Sequence, residues 1–342
     1  MLRTWIAGFF LAGALAAADT PIEIKMATIA PDGSPWHKVL ERMGERWRTI
    51  SGGQVRLKIF AGGTLGDEPD LVNKMKINQI QAVALSGAGM GDIDQGVACL
   101  QIPMMFDSYA ELDYVRDRMA RKLEERILGT GYVVLNWGDA GWVHFFSRER
   151  ATRPDDLRKM KLFTWAGGND ELELWKANGF RPVALAATDI LMGLETGLID
   201  VVPTPPLYAL WNQCFGLAKY MNDVKWAPLV GATVVSRKAW EKVPESQRAK
   251  MLEAAKQSGE EMRSGIRKMG DDAIATMSAG QAGKRTVKLT VVHADDAVLA
   301  DWRKQVEAVY PKMRGKIVPA DLFDEVRRLR DECRSRAGGA GK

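Results

Sequence analysis

Twice along this chain, a helical stretch ends in a residue suited to the left-handed region and runs straight into a short apolar strand. The first instance is Met75-Lys-Ile-Asn78-Gln-Ile-Gln-Ala-Val83 and the second is Leu194-Glu-Thr-Gly197-Leu-Ile-Asp-Val-Val202. Asn78 and Gly197 occupy the same slot, where a helix terminates at positive φ. Each strand then opens into a loop of small, polar or proline residues, Ser86-Gly-Ala-Gly-Met-Gly91 in one case and Pro203-Thr-Pro205-Pro206 in the other. The echo predicts two related halves, each an α/β unit wound around a largely parallel sheet. In such sheets ligands sit beyond the carboxyl ends of the strands, so two halves facing each other make a cleft.

The surrounding sequence fits that plan. Ile22–Ile29 alternates, Ser34 and Pro35 supply a helix cap and first position, and Leu40, Met43 and Trp47 recur at helical spacing before Ser51-Gly-Gly stops the helix. Val55–Phe60 and Ala82–Leu85 read as further strands, as do Tyr132–Trp137, Trp142–Phe146, Lys161–Trp165, Arg181–Leu185 and Ile199–Val202. From Pro244 to about Ala279 the chain reads as one helix long enough to tie both halves together, with a break near Gly265 or Gly270 as the alternative.

At the N-terminus, Arg3 precedes an apolar run from Ile6 to Ala17 that is too short to span a bilayer, and Ala16-Ala17-Ala18 fits a small-x-small cleavage site. A cleaved secretory leader over residues 1–18 is the expectation, and the other reading is an uncleaved anchor. The rest of the 342-residue chain exceeds the size that a single core usually supports, so two domains are expected. Acidic and basic residues are well mixed, with 48 Lys plus Arg against 43 Asp plus Glu and a net charge of +5. The dense run Arg327-Arg328-Leu-Arg330 lacks interleaved aromatics and gives no support for nucleic-acid binding.

Motifs for chemistry are weak. Cys99, Cys214 and Cys333 form neither a metal spacing nor a disulfide framework, leaving one bridge or buried thiols as the readings. His37, His144 and His293 are scattered outside any zinc pattern. Ser86–Gly91 is followed by no Gly-Lys-Ser/Thr, and no G-x-S-x-G elbow occurs. Neither an enzyme nor a cofactor is expected. The glycines of that loop fit close approach of backbone to a ligand instead. The unusual feature is aromatic: Trp137, Trp142, Trp165, Trp211 and Trp226 all fall near strand ends or between the halves, where planar faces suit apolar, aromatic or amphipathic ligands.

In order and spacing, Ala30-Pro-Asp-Gly-Ser-Pro-Trp36, Ser51-Gly-Gly-Gln-Val-Arg-Leu-Lys, Leu65-Gly66, Ile102-Pro-Met-Met-Phe106, Asp155-Asp-Leu-Arg-Lys-Met-Lys-Leu and Glu195-Thr-Gly-Leu-Ile-Asp200 resemble the DctP-like solute-binding proteins of TRAP transporters. The resemblance covers nearly the whole mature chain. It implies a periplasmic-binding-protein-like fold of two α/β domains, a ligand cleft between them and a long helix spanning both. It also implies a periplasmic protein that delivers its ligand to TRAP membrane permease subunits. The expected partition is 19–141 with 232–270, then 142–231 with 271–330, and a disordered tail over 331–342.

Two departures from the family pattern bear on the ligand. The family's carboxylate-clamping arginine falls at Phe163, and its usual Glu-Asn-Pro becomes Pro203-Thr204-Pro205. An Arg–carboxylate fork is strong and geometry-specific, and phenylalanine cannot replace it. The departures resemble a branch thought to take hydrophobic ligands, sometimes with a TPR-repeat partner. The expected ligand is therefore hydrophobic or amphipathic, held by Phe163, Trp165, Trp137, Trp142, Tyr208, Trp211 and Trp226. Ser86, Thr188 and Thr204 would orient it, with Gly87, Met104, Phe106 and Pro205 from the same segments and Glu68 and Asn169 by motif position. The alternative ligand is an organic acid, with Lys225 or Arg181 standing in for the lost arginine. A secreted enzyme on the same scaffold is the third reading.

Overall fold

The computed structural model describes residues 20–280 and 287–339. The expected leader lies outside the described residues. No described helix is long and apolar enough to cross a membrane. Among the described residues, eleven strands form two sheets. Those of the first are β1 (Ile22–Thr28), β2 (Val55–Phe60), β3 (Ala82–Ser86), β4 (Tyr132–Trp142) and β10 (Pro228–Ser236), in the order β2-β1-β3-β10-β4. The second sheet contains β5 (His144–Ser147), β6 (Lys161–Trp165), β7 (Arg181–Leu185), β8 (Val201–Thr204), β9 (Tyr220–Asn222) and β11 (Thr290–Val292), in the order β11-β9-β5-β8-β6-β7. β1 runs parallel to β2 and β3, and β6 to β7 and β8. The returning strands are antiparallel: β10 against β3 and β4, and β5 against β8 and β9.

The two helix-ending slots take the predicted conformation, with φ of 57° at Asn78 and 70° at Gly197. Ser34 caps the helix Pro35–Ile50 by accepting from the His37 amide at 3.3 Å. That helix buries Leu40, Met43 and Trp47, and the Trp47 indole donates to the Met251 carbonyl at 2.9 Å. Its acceptor belongs to the long helix Glu245–Ala279, which is unbroken at Gly265 and Gly270 and ends at Gly280 with φ of 71°. The long helix packs on β4, on Pro35–Ile50 and on Pro206–Trp211, and so touches both halves. Gly259 permits the close approach to β4, since a Cβ there would lie 2.7 Å from the Trp137 carbonyl oxygen.

The chain passes between the sheets at Val143 and again between Asn222 and Pro228, and the two crossing segments pair with each other. The Val143 amide donates to the Ala227 carbonyl at 2.8 Å, and the Trp226 amide to the Val143 carbonyl at 3.0 Å. Met104, held at φ 51°, adds a third bond by donating its amide to the Trp226 carbonyl at 2.6 Å.

The C-terminal part departs from the expected partition. Leu322, Phe323, Val326 and Leu329 pack against Leu112, Val115, Met119 and Leu123 of the helix Tyr109–Gly129, which precedes β4 of the first sheet. The expected disordered tail is helical through Gly339. The arginine run alternates with apolar residues at helical spacing, which gives this helix a face to bury. Polar ties hold it beyond 330, among them Arg334 to Glu111 at 2.9 Å and the Tyr114 hydroxyl to Glu332 at 2.7 Å. Cys99, Cys214 and Cys333 are free thiols, and burial pushes the first two up to about 12.

One buried charge cluster fixes the long helix to β4. Arg267 bonds Asp139 at 2.6 Å and Asp113 at 2.7 Å, and its guanidinium lies 4.0 Å from the Tyr109 ring centre. The Asp139 side chain is 1% exposed, and burial raises its pKa against the opposing pull of Arg267. Removing one partner of such a pair strands the other charge, at a cost of about 3–5 kcal/mol. Arg267→Met should therefore lower stability to urea by about that amount, and Asp139→Asn in the same chain should restore part of it. A loss under about 1 kcal/mol in the single variant would show that the cluster does not hold helix and sheet together.

Candidate functional site

The cleft between the sheets encloses a cavity of about 580 Å³, within the usual range for small-molecule sites. Its walls come from the C-terminal ends of β3, β6 and β8, from the helix starts that follow them and from the crossing segments. Opposite edges of the cleft touch. The Ala187 amide, on the β7 side, donates to Asp67 Oδ2 at 2.8 Å, while Asp67 also starts the helix Glu68–Lys76 of the first half. Thr188 packs its methyl group against Gly63, where a Cβ would lie only 2.7 Å away. Asp67 is buried and its Oδ1 has no partner among the described residues, and burial raises its pKa. This contact joins the halves.

Of the residues expected in the site, Phe163, Trp165, Glu68, Ser86, Gly87, Thr204, Pro205, Tyr208 and Trp226 line the cavity. Phe163 is only 1% exposed and meets Trp165 edge-to-face at 5.8 Å, so it belongs as much to the core as to the wall.

The remaining expected residues lie outside the lining, each with a local reason. The Trp137 indole donates to Glu124 at 2.9 Å, and Trp142 packs on Tyr109 with ring centres 5.4 Å apart. Phe106 is buried with the C-terminal helix, and the backbone of Met104 clasps the crossing segments. Thr188 is occupied at the closing edge, and Asn169 begins the helix Asn169–Ala177. Trp211 ends the helix Pro206–Trp211 and is 39% exposed at the surface.

The two suggested substitute cations are elsewhere as well. Lys225 lies 5.6 Å over the Trp142 ring, and Arg181 is exposed at the start of β7, reaching only the Lys159 carbonyl. The one Lys or Arg in the wall among the described residues is Arg158. Its Nε donates to the Asn178 carbonyl at 2.9 Å, one Nη to Gln305 at 2.6 Å and the other to exposed Asp155. It also lies 4.8 Å over the Phe180 ring. A guanidinium carries five N–H donors, so two are left after these three bonds. Sequence reasoning passed over Arg158, which sits inside the motif Asp155-Asp-Leu-Arg-Lys-Met-Lys-Leu. Trp175 and Trp302 were also missed.

Glu68 is a buried carboxylate at the centre of the β3 loop. It accepts from the Ser86 amide at 2.7 Å, the Ser86 hydroxyl at 2.6 Å and the Gly89 amide at 2.9 Å. These bonds favour the charged form, but burial outweighs them and pushes its pKa from 4.5 up to about 7. The folded protein therefore binds a proton that the unfolded chain has released across that window, so stability falls as pH rises from about 4.5 to about 7. Glu68→Gln, neutral throughout, should lack this decline when urea midpoints are compared across the window. Parallel profiles for the two proteins would mean that Glu68 is ordinary in its titration.

The family model for bacterial extracellular solute-binding proteins, family 7 (DctP), matches residues 26–316. The C4-dicarboxylate-binding periplasmic protein DctP of Rhodobacter capsulatus is 22% identical over 309 residues, covering 90% of this chain and 91% of that protein. A solute-binding protein of Roseobacter denitrificans is 23% identical over 248 residues, 70% of this chain and 74% of its own. Among solved structures, the sugar acid binding protein of Advenella mimigardefordensis in complex with galactonate superimposes with a TM-score of 0.84 at 20% identity, covering 92% of this chain and 99% of that one. A TRAP periplasmic solute-binding protein of Sulfurospirillum deleyianum with bound succinate gives 0.82 at 20% identity, covering 90% and 98%. With two sheets flanking a cleft and a family match across most of its length, the chain belongs to the DctP family, family 7 of the bacterial extracellular solute-binding proteins, and it is a binding protein rather than an enzyme.

Proposed function

We propose that this protein captures an organic acid in the cleft, with Arg158 as the carboxylate partner, and delivers it to the membrane permease of a TRAP-type transporter from the periplasm. The observation that carries the reading is Arg158, the single cation in the wall among the described residues, with two N–H donors left after its fixed bonds. The relatives support the same ligand class, since solved structures of similar fold hold galactonate, succinate or L-gulonate. This reverses the order of the two ligand readings drawn from sequence. A purely apolar ligand gives way to an acid, while the aromatic wall keeps room for an apolar body.

Electrostatics favours one orientation. A carboxylate set beside Glu68 would meet a second carboxylate that is already short of water, which is costly. Phe163 offers it nothing. The acid end therefore belongs at Arg158, whose fork is held in place by Asn178 and Gln305.

The test is calorimetric titration with carboxylic acids and, for each, the matching alcohol or amide. Acids should bind at least about tenfold tighter than their neutral counterparts, and Arg158→Gln should remove about that factor. Binding that ignores the carboxylate would return the apolar ligand to first place.

A further inference from the structure

Strand alternation sends the β6 side chains to two packing clusters that both border the cavity. On β6, Phe163 and Trp165 belong with the core cluster that includes Tyr208 and Leu207. Leu162 faces the other way, into a cluster with Phe145, Phe180 and Trp302, against which Trp175 and Trp226 pack. Thr164 has the same parity as Leu162. Glu68, Ser86, Thr204 and Tyr208, expected in the site from the sequence, line the cavity, and a further stretch of wall joins Trp226, also expected, to Trp175, Phe180, Trp302 and Gln305, which were not.

This annex is a chain of aromatic rings in contact. Phe180 meets Trp175 edge-to-face at 4.7 Å, Trp175 stacks on Trp226 at 5.3 Å, and Trp226 meets Trp302 at 5.8 Å. Arg158 continues the chain, with its guanidinium over Phe180. Polar groups punctuate it: Gln305 and Glu171, which accepts from the Trp175 indole at 3.3 Å, line the same cavity, and Thr164 does so at 5% exposure with a hydroxyl that has no partner among the described residues. A buried hydroxyl without a partner is costly unless something bonds it, and a ligand atom in this part of the cavity would do so.

We propose that the annex is a subsite for the aryl group of an aromatic carboxylic acid. The ring would lie against Trp175 and Trp226, the carboxylate would reach Arg158, and a ring substituent or carboxylate oxygen would meet the Thr164 hydroxyl. The inference rests on the organic-acid reading above and narrows it. Aromatic faces favour offset or edge contacts with another ring beyond what its area alone contributes, so this wall discriminates an aryl acid from an aliphatic one of equal charge. Because Arg158 touches Phe180 directly, ring and carboxylate need only a short spacer between them.

The experiment uses four probes on the intact mature protein: benzoate, 3-phenylpropionate, cyclohexanecarboxylate and succinate. Calorimetry gives affinities, and tryptophan fluorescence reports contact with the annex. The aryl acids should bind at least about tenfold tighter than the other two and quench fluorescence. Trp175→Leu, which keeps an apolar side chain at the position, should weaken the aryl acids far more than succinate and so remove most of the aryl preference. Equal affinity for aryl and aliphatic acids would overturn the aryl assignment and leave the carboxylate reading standing. So would a Trp175→Leu variant that still folds by circular dichroism and loses both alike. Binding of none of the four would overturn both.

Discussion

The structure depends on two short segments that cross between its sheets and pair with each other. The bonds between Val143 and Trp226–Ala227 tie the two crossings into one connection between the halves, and Met104 clasps them by accepting a left-handed backbone conformation. A non-glycine residue at positive φ costs energy, and it persists where surrounding structure over-determines it. Here it delivers an amide to a carbonyl in the crossing segment. Everything in the cleft is positioned from there, since β4 and β10 on one side and β5 and β9 on the other continue directly out of these segments.

Around that crossing, three further ties act at different distances. The Arg267–Asp139–Asp113 cluster holds the long helix to β4 within one half. The helix itself bridges the halves by packing on elements of both. At the far edge, Asp67 caps the turn at Ala187 from the opposite side of the cleft. That last tie spans the mouth of the cleft, and it buries a carboxylate with one oxygen unpaired among the described residues. It is the least self-sufficient of the three.

Phe163 is the point where the sequence and the site interact most. That the resemblance sets Phe163 where the family carries an arginine was legible, but the consequence was not. The side chain turned into the core beside Trp165, and the cation in the wall proved to be Arg158, five residues earlier. Five tryptophans were expected around the cleft. Trp165 and Trp226 reached it, while Trp137 and Trp142 found partners in Glu124 and Tyr109 and Trp211 stayed at the surface. Nearness to a strand end does not say which side of the sheet a ring takes, and at the end of a strand the next turn decides that.

The sequence by itself determined the α/β alternation, the positive-φ helix ends at Asn78 and Gly197 and the capped first helix, and it favoured one long helix over a broken one. These follow from local periodicity, capping and the conformational freedom of particular residues, which neighbours along the chain are enough to specify. Only the tertiary structure decided where the C-terminal helix docks, which edges of the cleft meet, and that Trp175, Phe180, Trp226 and Trp302 share one wall with Arg158. Those residues come from separate segments of the second half, and no local rule connects them. Their proximity is set by strand order and by the packing of helices that lie far apart in the chain.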